Sequence, residues 1–175
     1  MKYSIRSLVE GALCIAIAFV LSYIKLWQMP LGGSVTLFSM LPLMLYANRY
    51  GWKAGVLAGL AYGMLQFIQK PEITHWVQVI LDYPLAFAAI GLAGVTKQMQ
   101  LGCIIGGLGR FVCHFLTGAT FFAIYMPENF SNPWFYSLCY NGAYLGIDIA
   151  LCVLASFPVC VILKKANLGG TPRAN

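Results

Sequence analysis

Five side chains that are costly to place among hydrocarbon stand inside otherwise apolar stretches: Asp82, Arg110, His114, Asn141 and Asp148. An aspartate or arginine at the centre of a membrane costs roughly 2.5–3.5 kcal/mol on insertion scales, so each asks for a partner or a task. Asp82 precedes Tyr83 and Pro84, and Gly118 follows His114 by one helical turn on the same face. Tyr136, Tyr140 and Asn141 open the last apolar stretch. Phe122, Tyr125, Trp76 and Trp134 are expected around them, with Trp27 in the first outer loop. One carboxylate within aromatic walls suits a flat organic cation, because the carboxylate supplies the counter-charge and each ring face adds about 0.5–2 kcal/mol.

Plainer readings exist for each residue alone. Trp and Tyr collect at membrane interfaces in general, His114 could join two helices, and Asp82 could neutralise Arg110. Convergence of three stretches at one depth is what favours a binding site. Arg110 is expected to pair with Asp148 or Glu10, which leaves Asp148 structural. Glu72 and His75 are expected in a solvated outer loop, with a lid as the second reading. No Ser/His/Asp or metal-ligand grouping and no C-x-x-C pair occurs among the six cysteines. Gly106-Gly107-Leu108-Gly109-Arg110 lacks the G-x-x-x-x-G-K-[ST] phosphate loop. Catalysis, a metal and a cofactor are therefore not expected, and any ATP would have to be used by a partner.

The solvent for these residues follows from composition. The 175-residue chain is 60% hydrophobic and 9% charged, with a mean hydropathy of +0.76, whereas soluble domains carry about 25% charged residues. The reading is all-α: a single integral membrane domain over residues 1–175, with about six spans near 7–24, 34–47, 52–68, 76–94, 102–125 and 134–163. A turn is expected at 48–51, a break at 69–72 and a disordered tail at 166–175. Lys2 and Arg6 before an apolar run could imitate a signal peptide, but equally apolar stretches recur, so this run is read as the first span.

With the N-terminus cytoplasmic, Lys2, Arg6, Arg49, Lys53, Lys97, Lys164, Lys165 and Arg173 fall inside and only Lys25 and Lys70 outside. The positive-inside rule thus places both termini in the cytoplasm. This asymmetry accounts for the +6 formal charge, and nucleic-acid binding has no separate support. Small residues recur at four-residue spacing in the first span, as Ala12/Ala16 and Cys14/Ala18, and in the third as Gly55, Gly59 and Gly63. Such ladders let helices approach closely. The third span is read as packing within the bundle, and the first as packing or a surface for a partner subunit.

Three segments carry a family resemblance: Leu81-Asp82-Tyr83-Pro84-Leu85-Ala86-Phe87, Gly109-Arg110-Phe111-Val112-Cys113-His114-Phe115 with Gly118, and Tyr136-Ser137-Leu138-Cys139-Tyr140-Asn141. In their order and spacing the chain resembles the thiamine-specific substrate-binding components of energy-coupling factor transporters. The resemblance implies capture of thiamine from outside a bacterial cell, in a pocket closed by the first outer loop. It also implies assembly with a transmembrane coupling subunit and two ATPase subunits, with Ala12, Cys14, Ala16 and Ala18 on the docking surface. Carried over by motif, the pocket residues are Asp82, Tyr83, His114, Gly118, Tyr136 and Asn141. Phe122 stands where the family usually has Trp, and Asp82 where it usually has an acid longer by one methylene. Trp27 and Tyr62 are looser carry-overs. A component for another vitamin or a thiamine precursor stays open as an alternative. So does a stand-alone secondary transporter of an organic cation, although no repeat between the halves is visible.

Overall fold

The computed structural model describes residues 4–166; of the tail expected at 166–175, all but Ala166 lies outside them. Helix α1 runs Ile5–Ser22, started by Ser4, whose hydroxyl accepts from the Ser7 amide at 3.1 Å. Helix α2 runs Leu41–Tyr50 with Pro42 in its first turn, where a missing amide hydrogen costs nothing. Gly51, at φ +89°, turns the chain directly into α3, Trp52–Gln69. Helix α4 covers Trp76–Val95, α5 covers Met99–Thr120 and α6 covers Pro133–Lys165, the last capped by Asn132. Of these, α1, α4, α5 and α6 are long and apolar enough to cross a membrane.

Two expectations change. The stretch at 34–47 is not one helix: Ser34–Thr36 forms strand β2, paired antiparallel with β1, Lys25–Gln28, and the helix begins at Leu41. The fold is therefore helical with a two-stranded ribbon rather than purely α. The physical cause is local. Gly32 (φ +92°) and Leu31 (φ +61°) make a tight reversal, the β-branched pair Val35-Thr36 favours extended backbone, and Pro42 admits a helix only at its start. Hydropathy alone does not separate an apolar strand from an apolar helix. The fifth stretch also ends early: α5 stops at Thr120, and Ala123–Tyr125 is a short 3-10 turn.

Glycines decide how α4 is held. A methyl group at Gly59 would strike the Phe87 carbonyl, and one at Gly63 would meet the Tyr83 carbonyl, both on α4. Gly102 and Gly106 of α5 approach the Ala93 and Ile90 carbonyls from the other side. The Gly55/Gly59/Gly63 ladder thus packs inside the bundle, as read from its spacing, and α4 is gripped backbone to backbone. Backbone cannot move aside as a side chain can, so Gly59→Val should cost about 1–3 kcal/mol. A thermal-unfolding scan in detergent should show a lower midpoint for Gly59→Val. Gly142→Ala, where nothing lies within 4 Å, should leave the midpoint in place.

On α1 the two ladders separate. Ala12 and Ala16 face outward, among exposed Leu8, Val9, Leu13, Ile17 and Val20. Ala18 is fully buried, with its carbonyl accepting from the Tyr62 hydroxyl at 3.3 Å, and Cys14 packs partly against the core. Cys14 and Ala18 are therefore packing positions rather than docking ones, because an α-helix cannot present both faces to one neighbour.

Candidate functional site

A cavity of about 180 Å³ lies at the end of the bundle that carries the hairpin. The ribbon β1–β2, the loop after α3 and the facing sides of α4, α5 and α6 enclose it. Within α4, Leu81–Leu85 is a π turn containing Pro84, and the Ala86 amide reaches back to the Leu81 carbonyl. A proline without an amide hydrogen loosens the ordinary ladder, and the extra residue per turn aims neighbouring side chains differently. Asp82 sits in this turn, buried to 8% exposure. Its Oδ1 accepts from Thr117 Oγ1 at 2.5 Å and faces His114 Nδ1 at 2.9 Å, while Oδ2 accepts from Gln78 Nε2 at 2.8 Å.

The proton on His114 follows from its second neighbour. Arg110 Nε donates to His114 Nε2 at 3.4 Å, so Nε2 is the acceptor and the ring hydrogen resides on Nδ1, from which it is donated to Asp82. Arg110 lies 4.5 Å over the Phe87 ring and points Nη1 at Asp148 Oδ2, 3.8 Å away. Of the two partners expected for Arg110, the structure selects Asp148; Glu10 instead bridges Arg6 and Arg49. Two buried carboxylates, Asp82 and Asp148, thus flank the one Arg110 guanidinium beside the cavity. At its mouth Lys70 and Glu72 cancel in a 2.6 Å pair, and Lys25 is exposed.

Tyr62, Asp82, Tyr83, His114, Gly118, Phe122, Tyr136 and Asn141 all line this one cavity. Several are already occupied by the protein itself. The Tyr83 hydroxyl donates to the Lys70 carbonyl (2.7 Å) and accepts from the Glu72 amide (2.9 Å), which fixes the loop after α3. Asn141 donates to the His114 carbonyl and to Ser137, and accepts from Tyr144, so it sets α6 against α5. Gly118 makes that approach possible, since a side chain there would collide with Ser137 and Asn141.

Trp27 does not line the cavity; it projects from β1, 46% exposed. Trp76, Trp134 and Tyr125 are also exposed and outside the lining. Exposed rings are what the plainer interfacial reading expects; a residue at the right height still has to face inward to line a site. The lining also includes residues not singled out from the sequence. Gln78 and Thr117 each lie about one turn from a flagged residue, Asp82 and His114 respectively, and helical periodicity could have found them. Gly32 and Gly33 come from the loop between the strands, whose placement periodicity does not address; Glu72, read from the sequence as an outer-loop residue with a lid as the second reading, lines the cavity as well.

The family model described as "Thiamine transporter protein (Thia_YuaJ)" matches residues 8–168. The chain is similar to the thiamine transporter ThiT of Bacillus subtilis (strain 168), at 34% identity over 91% of each chain. It is also similar to ThiT of Lacticaseibacillus paracasei, at 29% identity over 91% of this chain and 87% of that one. The solved structure of ThiT from Listeria monocytogenes superposes with a TM-score of 0.74 at 30% identity, covering 91% of this chain and 93% of that one.

Proposed function

Because the chain belongs to the thiamine transporter protein family, we propose that it is the thiamine-capturing subunit of an energy-coupling factor importer in a bacterial cell membrane, binding thiamine in the cavity beside Asp82. The observation that carries this reading is the buried Asp82 carboxylate in the cavity wall, with aromatic faces on the same lining. A cation entering there meets a carboxylate that is shielded from bulk water, where Coulomb attraction is stronger than at the surface. Thiamine has a permanently cationic ring, a second flat ring with donors and acceptors, and a hydroxyl. Phe122 and Tyr136 offer faces, and the lining Tyr, Gln and Ser side chains offer hydrogen bonds.

In this reading the chain is one membrane domain whose six helices all lie in the bilayer, with both termini cytoplasmic. At ten residues, α2 is about 15 Å long and does not cross alone; continued by the ribbon and the segment before it, it completes the crossing. The chain has no nucleotide-binding loop, so a coupling subunit and two ATPase subunits supply the energy, and Ala12 and Ala16 on the outward face of α1 receive them. Isothermal titration of the detergent-solubilised protein should show saturable, one-to-one heat with thiamine and none with riboflavin, which carries no positive charge. Saturation with riboflavin instead would assign the chain to another vitamin. Calorimetry is the suitable readout, because no tryptophan lines the cavity and indole quenching should be weak.

A further inference from the structure

We propose that Asp148 is a positioning residue that fastens the hairpin over the cavity to α6 and, through Arg110, links it to the Asp82 carboxylate. This rests on the reading of the cavity as a thiamine site. A two-stranded ribbon is marginal by itself and needs anchors elsewhere. The hairpin has two on α6. At its tip, Tyr140 donates to the Pro30 carbonyl and accepts from the Gly33 amide at 3.0 Å. At its base, Asp148 Oδ1 accepts from both the amide (3.3 Å) and the hydroxyl (3.4 Å) of Thr36.

The Thr36 hydroxyl is in turn 2.6 Å from that of Ser39, which must donate if Thr36 donates to Asp148. Asp148 is 1% exposed, and its Oδ2 accepts no hydrogen bond among the described residues, with Arg110 held 3.8 Å away. A buried carboxylate oxygen without a donor is costly, so the Arg110 guanidinium is drawn to it. The same guanidinium orients His114, and His114 orients Asp82. Hydrogen bonds joined by the Arg110–Asp148 ion pair therefore run from β2 to Asp82, the group proposed to meet the ligand cation. The hairpin and the ligand site share Arg110, so disorder in one loosens the other.

The test pairs hydrogen-exchange mass spectrometry of residues 25–36 with stopped-flow thiamine dissociation, on the full chain in detergent. Asp148→Asn keeps the shape and an acceptor but releases Arg110. Exchange across the hairpin should accelerate several-fold with and without ligand. Thiamine dissociation should quicken about ten-fold, with association changed much less. Thr36→Val, which removes only the hydroxyl, should act in the same direction more weakly, and the double variant should be no faster than Asp148→Asn alone. Should Asp148→Asn not fold, Thr36→Val and Ser39→Ala probe the same contact from the hairpin side. Unchanged hairpin exchange, exchange raised uniformly over all helices, or additive effects in the double variant would overturn the proposal. If the wild type bound no thiamine, the functional reading would fail. Exchange in the ligand-free hairpin would still decide the role of Asp148.

Discussion

Asp82→Asn lowers the affinity for thiamine by roughly 2–5 kcal/mol, about 30-fold or more, the usual loss when one member of a buried charge pair is removed. Titration calorimetry on both proteins measures it directly. The amide keeps the volume of the carboxylate but not its acceptors. One oxygen can still receive Thr117 and His114, and the new NH2 then faces the Gln78 NH2. Gln78 cannot turn round freely, because its Nε2 donates to the Glu72 carbonyl and its Oε1 accepts from the Thr74 amide. The variant therefore loses the counter-charge and gains a donor–donor conflict. Glu128→Gln, on an exposed loop, should leave binding unchanged. Equal affinities for Asp82→Asn and the wild type would remove Asp82 from the site.

Ala12→Trp or Ala16→Trp abolishes thiamine uptake by cells while the purified protein still binds thiamine as the wild type does. Both alanines face outward on α1, away from the cavity lining. A bulky ring on a small-x-x-x-small face pushes away a helix that docks there, and it has free space to occupy in the isolated subunit. Transport assays in cells, run beside calorimetry on purified protein, separate the two effects. Loss of binding together with uptake would place this face inside the bundle. Undiminished uptake, with gradient-driven accumulation by the chain alone in vesicles, would establish a secondary transporter.

Much of the site was legible because helices are periodic. Asp82, His114, Gly118 and Asn141 stand on three helices whose bounds hydropathy placed within a few residues, and polar residues at one depth in three helices meet when those helices pack. What periodicity does not encode is rotation and loop path. Trp27, Trp76 and Trp134 had suitable heights and face outward, whereas Glu72 and the Gly32-Gly33 reversal reach the cavity from segments with no period. The ribbon was missed for a related reason: Ser34-Val35-Thr36 is as apolar in a window average as the helix that follows it. Distinguishing Arg110–Asp148 from Arg110–Glu10 required the real rotation of α6, since both acids lie in apolar stretches of similar character.

Helix α6 has 33 residues, a rod of about 50 Å, in a bilayer whose hydrocarbon layer is about 30 Å thick. It cannot stand upright with both ends at the headgroups, so it leans or projects into water. Tyr140, Asn141 and Asp148 all ride on this rod. Where α6 leans, its tilt becomes a coordinate shared by the hairpin anchors and the surrounding lipid, so that a thicker or thinner membrane acts on the hairpin without touching it.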